Sequence, residues 1–238
     1  MTITIRETSF PAYPVFIFAS YMVGSLIVHL YLVYKKTPAY AVYGAIVLNI
    51  MITQLLGMSF PIIISKGTMI GLSGVGAAFG MVLSTLVCYF LIPRYRDNII
   101  KANALAAPLM YSISKLSCLF AGCCHGFKYN GPFCLNYRFF SDHSPRTLVF
   151  PVQPLETIVF FLIFLIGLFL IRFCKADFFA ATIGGLSAIA KFVLDFLRSA
   201  EYKSGTLSVN QYLCIGLYLG IIVYIIVKYA FIKKESVI

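Results

Sequence analysis

The sequence predicts an all-α, polytopic membrane protein with about seven transmembrane helices. Of its 238 residues, 61% are hydrophobic and only 11% are charged, whereas a soluble domain has about 25% charged residues. The apolar residues form repeated runs of about 20, the length that an α-helix needs to cross a bilayer. No soluble domain of useful size fits between these runs. We therefore expect residues 1–238 to form a single integral membrane domain.

The predicted spans follow one another with short basic or polar segments between them. They cover residues 15–33, 40–56, 69–92, 99–120, 155–171, 178–197 and 209–229. The segment 57–67, which contains Pro61 and Lys66, is predicted to be an interfacial loop. Four glycines in the third span, at positions 71, 74, 76 and 80, are small enough to let a neighbouring helix approach closely.

The basic residues between the spans predict the orientation of the chain. One set of helix ends carries ten of them: Lys35, Lys36, Arg94, Arg96, Lys101, Arg172, Lys175, Lys228, Lys233 and Lys234. The other set carries seven: Arg6, Lys66, Lys128, Arg138, Arg146, Arg198 and Lys203. The positive-inside rule places the larger set in the cytoplasm, with the N-terminus outside and the C-terminus cytoplasmic.

The net charge of +11 would suggest a nucleic-acid partner in a soluble protein. Here the cations lie mostly between apolar spans, which fits topology and anionic lipid head groups better, so we expect no nucleic-acid partner. The outer side also remains basic. A site for an anionic group at the outer interface would account for this.

Four ionisable residues stand out within the predicted spans, where insertion costs about 2.5–3.5 kcal/mol for a charged side chain. They are Lys115, Glu156, Lys191 and Asp195. Lys191 and Asp195 are four residues apart and can pair on one helix face, and Arg198 follows on the same stripe. Lys115 has no acidic residue within helical reach, so its partner must be another span, a ligand anion or the interface.

The segment 115–126 combines Lys115 with three thiols and an imidazole, which suits a site better than a lipid-facing surface. Cys118, Cys123, Cys124 and His125 are followed by a further thiol at Cys134. Four interpretations stay open: a disulfide to Cys134, a nucleophilic thiol beside the imidazole, a metal site, or tight packing. The spacing matches none of the usual Cys-x2-Cys pairs, so the sequence does not predict a metal.

Three ordered motifs resemble the prolipoprotein diacylglyceryl transferase family. The segment 115–126 ends in Gly-Cys-Cys-His-Gly, similar to the family's signature region. Residues 150–156 resemble its His-Pro-x-Gln-Leu-Tyr-Glu motif and retain Pro151, Gln153 and Glu156. Residues 191–198, followed by 205–211, resemble its Arg-Phe-x-x-Glu-x-x-Arg and Leu-Ser-x-x-Gln motifs.

Several departures from the family pattern concern charged or basic positions. The family has arginine where this chain has Lys115 and Lys191, and glutamate where it has Asp195. An ammonium group keeps the charge but cannot grip phosphate through two parallel hydrogen bonds. The His-Gly-Gly motif of the third span appears as Leu72-Ser73-Gly74, without its histidine.

The resemblance implies a multi-pass enzyme of the bacterial plasma membrane. It would transfer a diacylglyceryl group from phosphatidylglycerol, or a similar anionic phospholipid, to the lipobox cysteine thiol of a lipoprotein precursor peptide. Lys115 and Arg198 are expected at the phosphate, with His125 as a candidate base. The remaining expected substrate-binding residues are Gln153, Glu156, Lys191, Asp195, Gly126 and Tyr21. We expect neither a cofactor nor a metal. The alternatives are a non-catalytic or redirected relative that binds lipid or peptide, and a thiol-based membrane enzyme that uses Cys123 and Cys124.

Overall fold

The computed structural model describes residues 3–5, 12–64, 66–67, 71–137, 148–199 and 207–235, with side chains of the last helix described as far as Ile222. Arg6, Arg138, Arg146 and Lys203, which entered the orientation prediction, lie outside these residues, as does Gly205 of the third motif. The side chains of Lys228, Lys233 and Lys234 also lie outside the description.

Seven α-helices make up most of the described structure, which confirms the all-α prediction. They are α1 (Ala12–Tyr34), α2 (Ala39–Ile64), α3 (Gly74–Leu91), α4 (Arg96–Ala121), α5 (Val152–Leu170), α6 (Ala176–Asp195) and α7 (Val209–Glu235). The first six are long and apolar enough to cross a membrane. Large apolar side chains face outward on them: Phe18, Phe90 and Phe169 are 66%, 70% and 68% exposed. Such surfaces fit contact with lipid rather than water.

Helix α4 lies at the centre of the bundle, where it packs against α1, α3, α5 and α6. It separates two hydrophobic cores. One includes Leu32 and Ile99, and the other includes Phe164 and Phe179. Because α4 contacts both cores, its C-terminal residues are held at a fixed position relative to the other helices.

The predicted end of the second span is wrong, because α2 continues through Pro61 to Ile64. Proline has no N–H to donate to the carbonyl four residues earlier, which here belongs to Gly57. The Ser73 N–H takes over this role and donates to the Gly57 carbonyl at 2.9 Å. The residue before α3 therefore donates the hydrogen bond that Pro61 cannot donate to the Gly57 carbonyl in α2.

The third span also begins later than predicted, since Ser73 caps α3 by accepting a hydrogen bond from the Gly76 N–H. Two of the four glycines provide the expected close approach. A β-carbon at Gly76 would lie 2.6 Å from Phe60 Cβ, and one at Gly80 would lie 2.6 Å from Thr53 Cα. The backbones of α2 and α3 therefore touch at these positions.

The ends of the bundle differ in character, and we name them for their residues. The Cys-rich end is formed where α4 ends, α5 begins, α6 ends and α7 begins. A parallel pair of short strands, β1 (Ile3–Ile5) and β2 (Leu135–Tyr137), lies beyond it. Leu135 also exchanges two backbone hydrogen bonds with Val149, at 2.9 and 3.0 Å. The opposite, basic end is formed by the turns that carry Lys35, Arg94 and Arg172.

Candidate active site at the Cys-rich end

Glu156 is the centre of a buried charge cluster at this end. It lies in the first turns of α5, fully buried, and forms ion pairs with two lysines on different helices. Lys115 Nζ of α4 lies 2.8 Å from Glu156 Oε2, and Lys191 Nζ of α6 lies 2.6 Å from Oε1. The structure thus gives Lys115 a partner on another span.

Asp195 extends the cluster towards the end of α6. Its Oδ1 accepts from Lys191 Nζ at 3.0 Å, the pairing expected from their spacing. It also lies 3.3 Å from an Arg198 guanidinium nitrogen. Three cations and two carboxylates are thereby joined in one chain of contacts. Among the described residues of this network, one positive charge is in excess.

Two residues that sequence reasoning missed complete the charged cluster. The Tyr111 ring lies beneath the ammonium groups, with Lys115 Nζ 4.9 Å and Lys191 Nζ 5.9 Å from its centroid. The Ser208 hydroxyl donates to Asp195 Oδ2. Tyr111 lies four residues before Lys115 on the same helix face, a spacing that could have identified it.

Ser208 and Gln211 of the third sequence motif lie at the start of α7 and bind each other there. The Gln211 side-chain oxygen accepts from the Ser208 N–H at 2.8 Å, and Ser208 Oγ accepts from the Gln211 N–H at 3.1 Å. These reciprocal bonds form a capping box. The Gln211 amide also donates to the Phe192 carbonyl at 3.2 Å. The motif therefore fixes α7 to α6 and orients Ser208 towards Asp195.

Gln153 contacts the Cys-rich segment rather than the basic groups. Its amide nitrogen lies 2.9 Å from the Cys123 carbonyl and 3.0 Å from the Tyr137 hydroxyl. Its side-chain oxygen is buried without a hydrogen-bond partner among the described residues. Burial raises the pKa of the Tyr137 phenol, so this group stays protonated.

Gly126 joins the loop after α4 to Arg198 through an antiparallel bridge. Only glycine fits here, because a β-carbon would lie 2.5 Å from the Phe150 carbonyl oxygen. His125 stands next to this bridge, and its Nδ1 lies 3.1 Å from the Gly126 carbonyl oxygen. A carbonyl can only accept, so Nδ1 carries the proton and Nε2 is the basic nitrogen of the neutral ring.

Tyr21 lies on α1, apart from the contacts described above. Its hydroxyl is buried and has no hydrogen-bond partner in the described part of the chain. Such a group costs free energy unless something binds it. The remaining expected site residues are all at the Cys-rich end.

Three sulfur atoms form a compact group beside the charge cluster. The Sγ atoms of Cys118, Cys123 and Cys124 all lie within 4.8 Å of one another. The thiols of Cys118 and Cys123 lower the pKa of the Cys124 thiol by hydrogen bonding to it, and the nearby cations add to this. None of the seven cysteines, all of which are described, forms a disulfide in the structure.

A comparison with known families identifies the family of this chain. Residues 3–227 match the family model described as prolipoprotein diacylglyceryl transferase. The chain belongs to the prolipoprotein diacylglyceryl transferase family. The match includes the first hundred residues, which resemble the family only in outline because the three motifs lie from Lys115 onward. Comparison with curated proteins gives no match.

Membership in the prolipoprotein diacylglyceryl transferase family makes this a multi-pass membrane protein of a transferase family. The three motifs that carry the resemblance meet in space. The first provides Lys115 and the thiols, the second Glu156 and Gln153, and the third the pair of Lys191 with Asp195, and Arg198. Segments far apart in the sequence therefore form one candidate site.

Proposed function

We propose that this protein transfers the diacylglyceryl group of phosphatidylglycerol, or a similar anionic phospholipid, to the lipobox cysteine thiol of a lipoprotein precursor. The observation that carries the proposal is the excess positive charge of the buried cluster at the Cys-rich end. Buried ion clusters are costly unless their charges are balanced. A phosphate diester carries the single negative charge that would balance this one.

Lys115 and Arg198 would contact the phosphate from two sides. Glu156 positions the Lys115 ammonium, and Asp195 positions the Arg198 guanidinium. Because both cations are held before substrate binds, they could stabilise charge that builds up on the leaving phosphate without reorganising. Lys191 links the two carboxylates and would keep this spacing fixed.

The reaction balances without any redox change. The acceptor thiol loses its proton, and its sulfur forms a bond to the glyceryl carbon that carries the phosphate ester. The carbon–oxygen bond breaks, and glycerol phosphate leaves with the electron pair. His125 is the candidate to accept the proton, because its Nδ1–H is bound to the Gly126 carbonyl and Nε2 keeps a lone pair.

The orientation belongs to this proposal. The Cys-rich end would face the outside of the bacterial plasma membrane, with the N-terminus outside and the C-terminus in the cytoplasm. At the opposite end, Lys35, Lys101 and Lys175 line a cleft of about 320 Å³ together with Asp97 and Asp177. A group of lysines at that end supports a cytoplasmic location for it.

Binding of lipid or peptide without transfer is the second candidate function. Lys115 and Lys191 take the places of family arginines, and Leu72 stands where the family has histidine. Ammonium groups lack the two-pronged donation of guanidinium. A binding protein could tolerate these changes more easily than an enzyme.

Arg198→Gln tests the proposal, since Arg198 is the guanidinium retained from the family motif. We expect a loss of transfer of roughly 100- to 1000-fold, the usual effect of removing one donor to a developing charge. Transfer is measured with purified protein, labelled phosphatidylglycerol and a lipobox peptide, and folding is checked by thermal unfolding. Arg172→Gln, at an exposed arginine of the basic end, is the matched control.

Complementation separates the two candidate functions. The wild-type chain should support growth of a strain depleted of its diacylglyceryl transferase, and Arg198→Gln should not. If folded Arg198→Gln retains near-normal transfer, the assigned phosphate site is wrong. A wild-type protein that binds the lipid but never transfers it belongs to the non-catalytic class.

A further inference from the structure

The three clustered thiols have a geometry that the proposed phosphate site does not use. Cys118 lies in the last turn of α4, and Cys123 and Cys124 follow the helix end. Gly122 ends the helix in the left-handed conformation, with φ of 69°. This reversal returns the chain to the helix and brings the three sulfurs within 4.8 Å of one another.

That separation is close to what a shared metal ion requires. A zinc–thiolate bond is about 2.3 Å long, which places the sulfurs of one ion about 3.8–4.0 Å apart. Shifts of a few tenths of an ångström per side chain would reach this value. The described residues offer no fourth Cys, His, Asp or Glu to the group. With ligands from the described residues alone, a bound ion would keep one position open.

The backbone around the thiols is held on both sides of the group. The Cys123 carbonyl accepts from the Gln153 amide at 2.9 Å, and the His125 carbonyl accepts from the Ser199 N–H at 3.2 Å. Cys124 itself has a φ of 57°, a conformation that non-glycine residues adopt rarely. Such conformations persist where the surroundings enforce them and are common at functional sites.

The electrostatic surroundings also suit a thiolate group. Three thiolates around a divalent cation carry one net negative charge. Lys115 precedes Cys118 by one helical turn, and Arg198 is bridged to Gly126 at the end of the same loop. The half-buried sulfurs thus lie near cations of the charge cluster, which favour thiolates over neutral thiols.

We propose that Cys118, Cys123 and Cys124 bind one thiophilic divalent cation of the Zn²⁺ class, whose open position takes the acceptor thiol as a thiolate. The second half of this proposal rests on the proposed transfer function. A thiol that coordinates such a cation loses its proton, here to the candidate base His125. Its sulfur then forms the thioether bond, while the glyceryl carbon–oxygen bond breaks towards phosphate. This activation would serve a chain that lacks the third-span histidine of its family.

Cobalt is the probe for the site, because its thiolate complexes absorb through sulfur-to-metal charge transfer. The full chain is purified in detergent with reductant and titrated with Co²⁺ and with Zn²⁺. We expect one equivalent of metal and a charge-transfer band. Cys118→Ser and the double variant Cys123→Ser/Cys124→Ser should weaken binding at least about tenfold. Cys88→Ser and Cys174→Ser, at thiols outside the group, should bind as the wild type does.

A cysteine peptide tests the open position independently of turnover. A lipobox peptide should change the Co²⁺ spectrum, and the same peptide with serine in place of cysteine should not. Arg198→Gln should keep the metal site while losing transfer, which separates the two proposals. No stoichiometric metal, or a spectrum unchanged in the thiol variants, would overturn the site. An unaltered spectrum with the cysteine peptide, or full transfer by metal-free protein, would overturn the activating role.

Discussion

Glu156 holds Lys115 and Lys191 side by side, and removing its charge should destabilise the fold. In Glu156→Gln the buried Lys115 ammonium would lose the Glu156 carboxylate, and Lys191 would keep only Asp195. Breaking a buried ion pair by removing one partner costs about 3–5 kcal/mol. We therefore expect a clear drop in thermal stability in detergent. Adding Lys115→Met to Glu156→Gln should recover part of it, because one uncompensated charge is removed. An equal or greater loss in the double variant would contradict this balance of charges.

Lys115 tests which property of the cation matters for transfer. Lys115→Arg restores the guanidinium of the family motif and should keep or raise the transfer rate. Lys115→Met removes the charge and should abolish transfer. Both variants are compared by kcat and KM in the peptide assay, together with thermal unfolding to confirm folding. An active, folded Lys115→Met protein would remove Lys115 from the phosphate site.

At the residue level the sequence predicted local pairs but not distant ones. The contact of Lys191 with Asp195 follows from their separation of four residues on a helix. The contact of Lys115 with Glu156 joins two helices, so it depends on how α4 and α5 pack. The sequence left the role of the three thiols open for a similar reason. Their spacing fits no zinc motif, and only the chain reversal at Gly122 brings the sulfurs together.

The loop after α4 fits its surroundings through Gly126, and a single methyl group there should disturb the site. In Gly126→Ala the added carbon would lie 2.5 Å from the Phe150 carbonyl oxygen and 3.1 Å from that of Leu197. We expect lower stability and a loss of transfer, because the loop must move away from Arg198. Gly216→Ala is the matched control, since a β-carbon there meets nothing within 4 Å. Alanine in a helix should leave stability equal or improve it by about 0.5–1 kcal/mol. Equal behaviour of the two variants would show that the loop is not constrained.

Element boundaries depended on contacts that the sequence does not display. Helix α2 passes Pro61 because Ser73, twelve residues later, donates to the Gly57 carbonyl. The pairing of β1 with β2 joins three-residue strands more than a hundred residues apart. The length of a hydrophobic run predicts reliably that a span exists, because the thickness of the bilayer sets that length. Run length does not predict where a helix ends when a residue from another segment supplies one of its hydrogen bonds.

The two ends of the whole molecule differ in how their charges are held. At the Cys-rich end the cations of the candidate site are buried and paired with carboxylates. At the basic end Arg94, Arg96 and Arg172 are exposed. Exposed cations report on topology, because they stay on the side where the chain is made. Buried, paired cations report on a site instead. Among the described residues, more exposed cations lie at the basic end than at the Cys-rich end.

This asymmetry leads to a topology that accessibility labelling can test. Asn130 lies beyond the Cys-rich end and Asp97 near the basic end, and both are exposed. None of the seven native cysteines is exposed, so a newly introduced thiol should dominate labelling in intact cells. With a reagent that cannot cross the membrane, Asn130→Cys should react directly. Asp97→Cys should react only after permeabilisation. The acceptor thiol of a lipoprotein precursor is presented outside, so the reverse pattern would place the candidate site on the wrong side of the membrane. That outcome would rule out the proposed transfer while leaving the fold and the family unchanged.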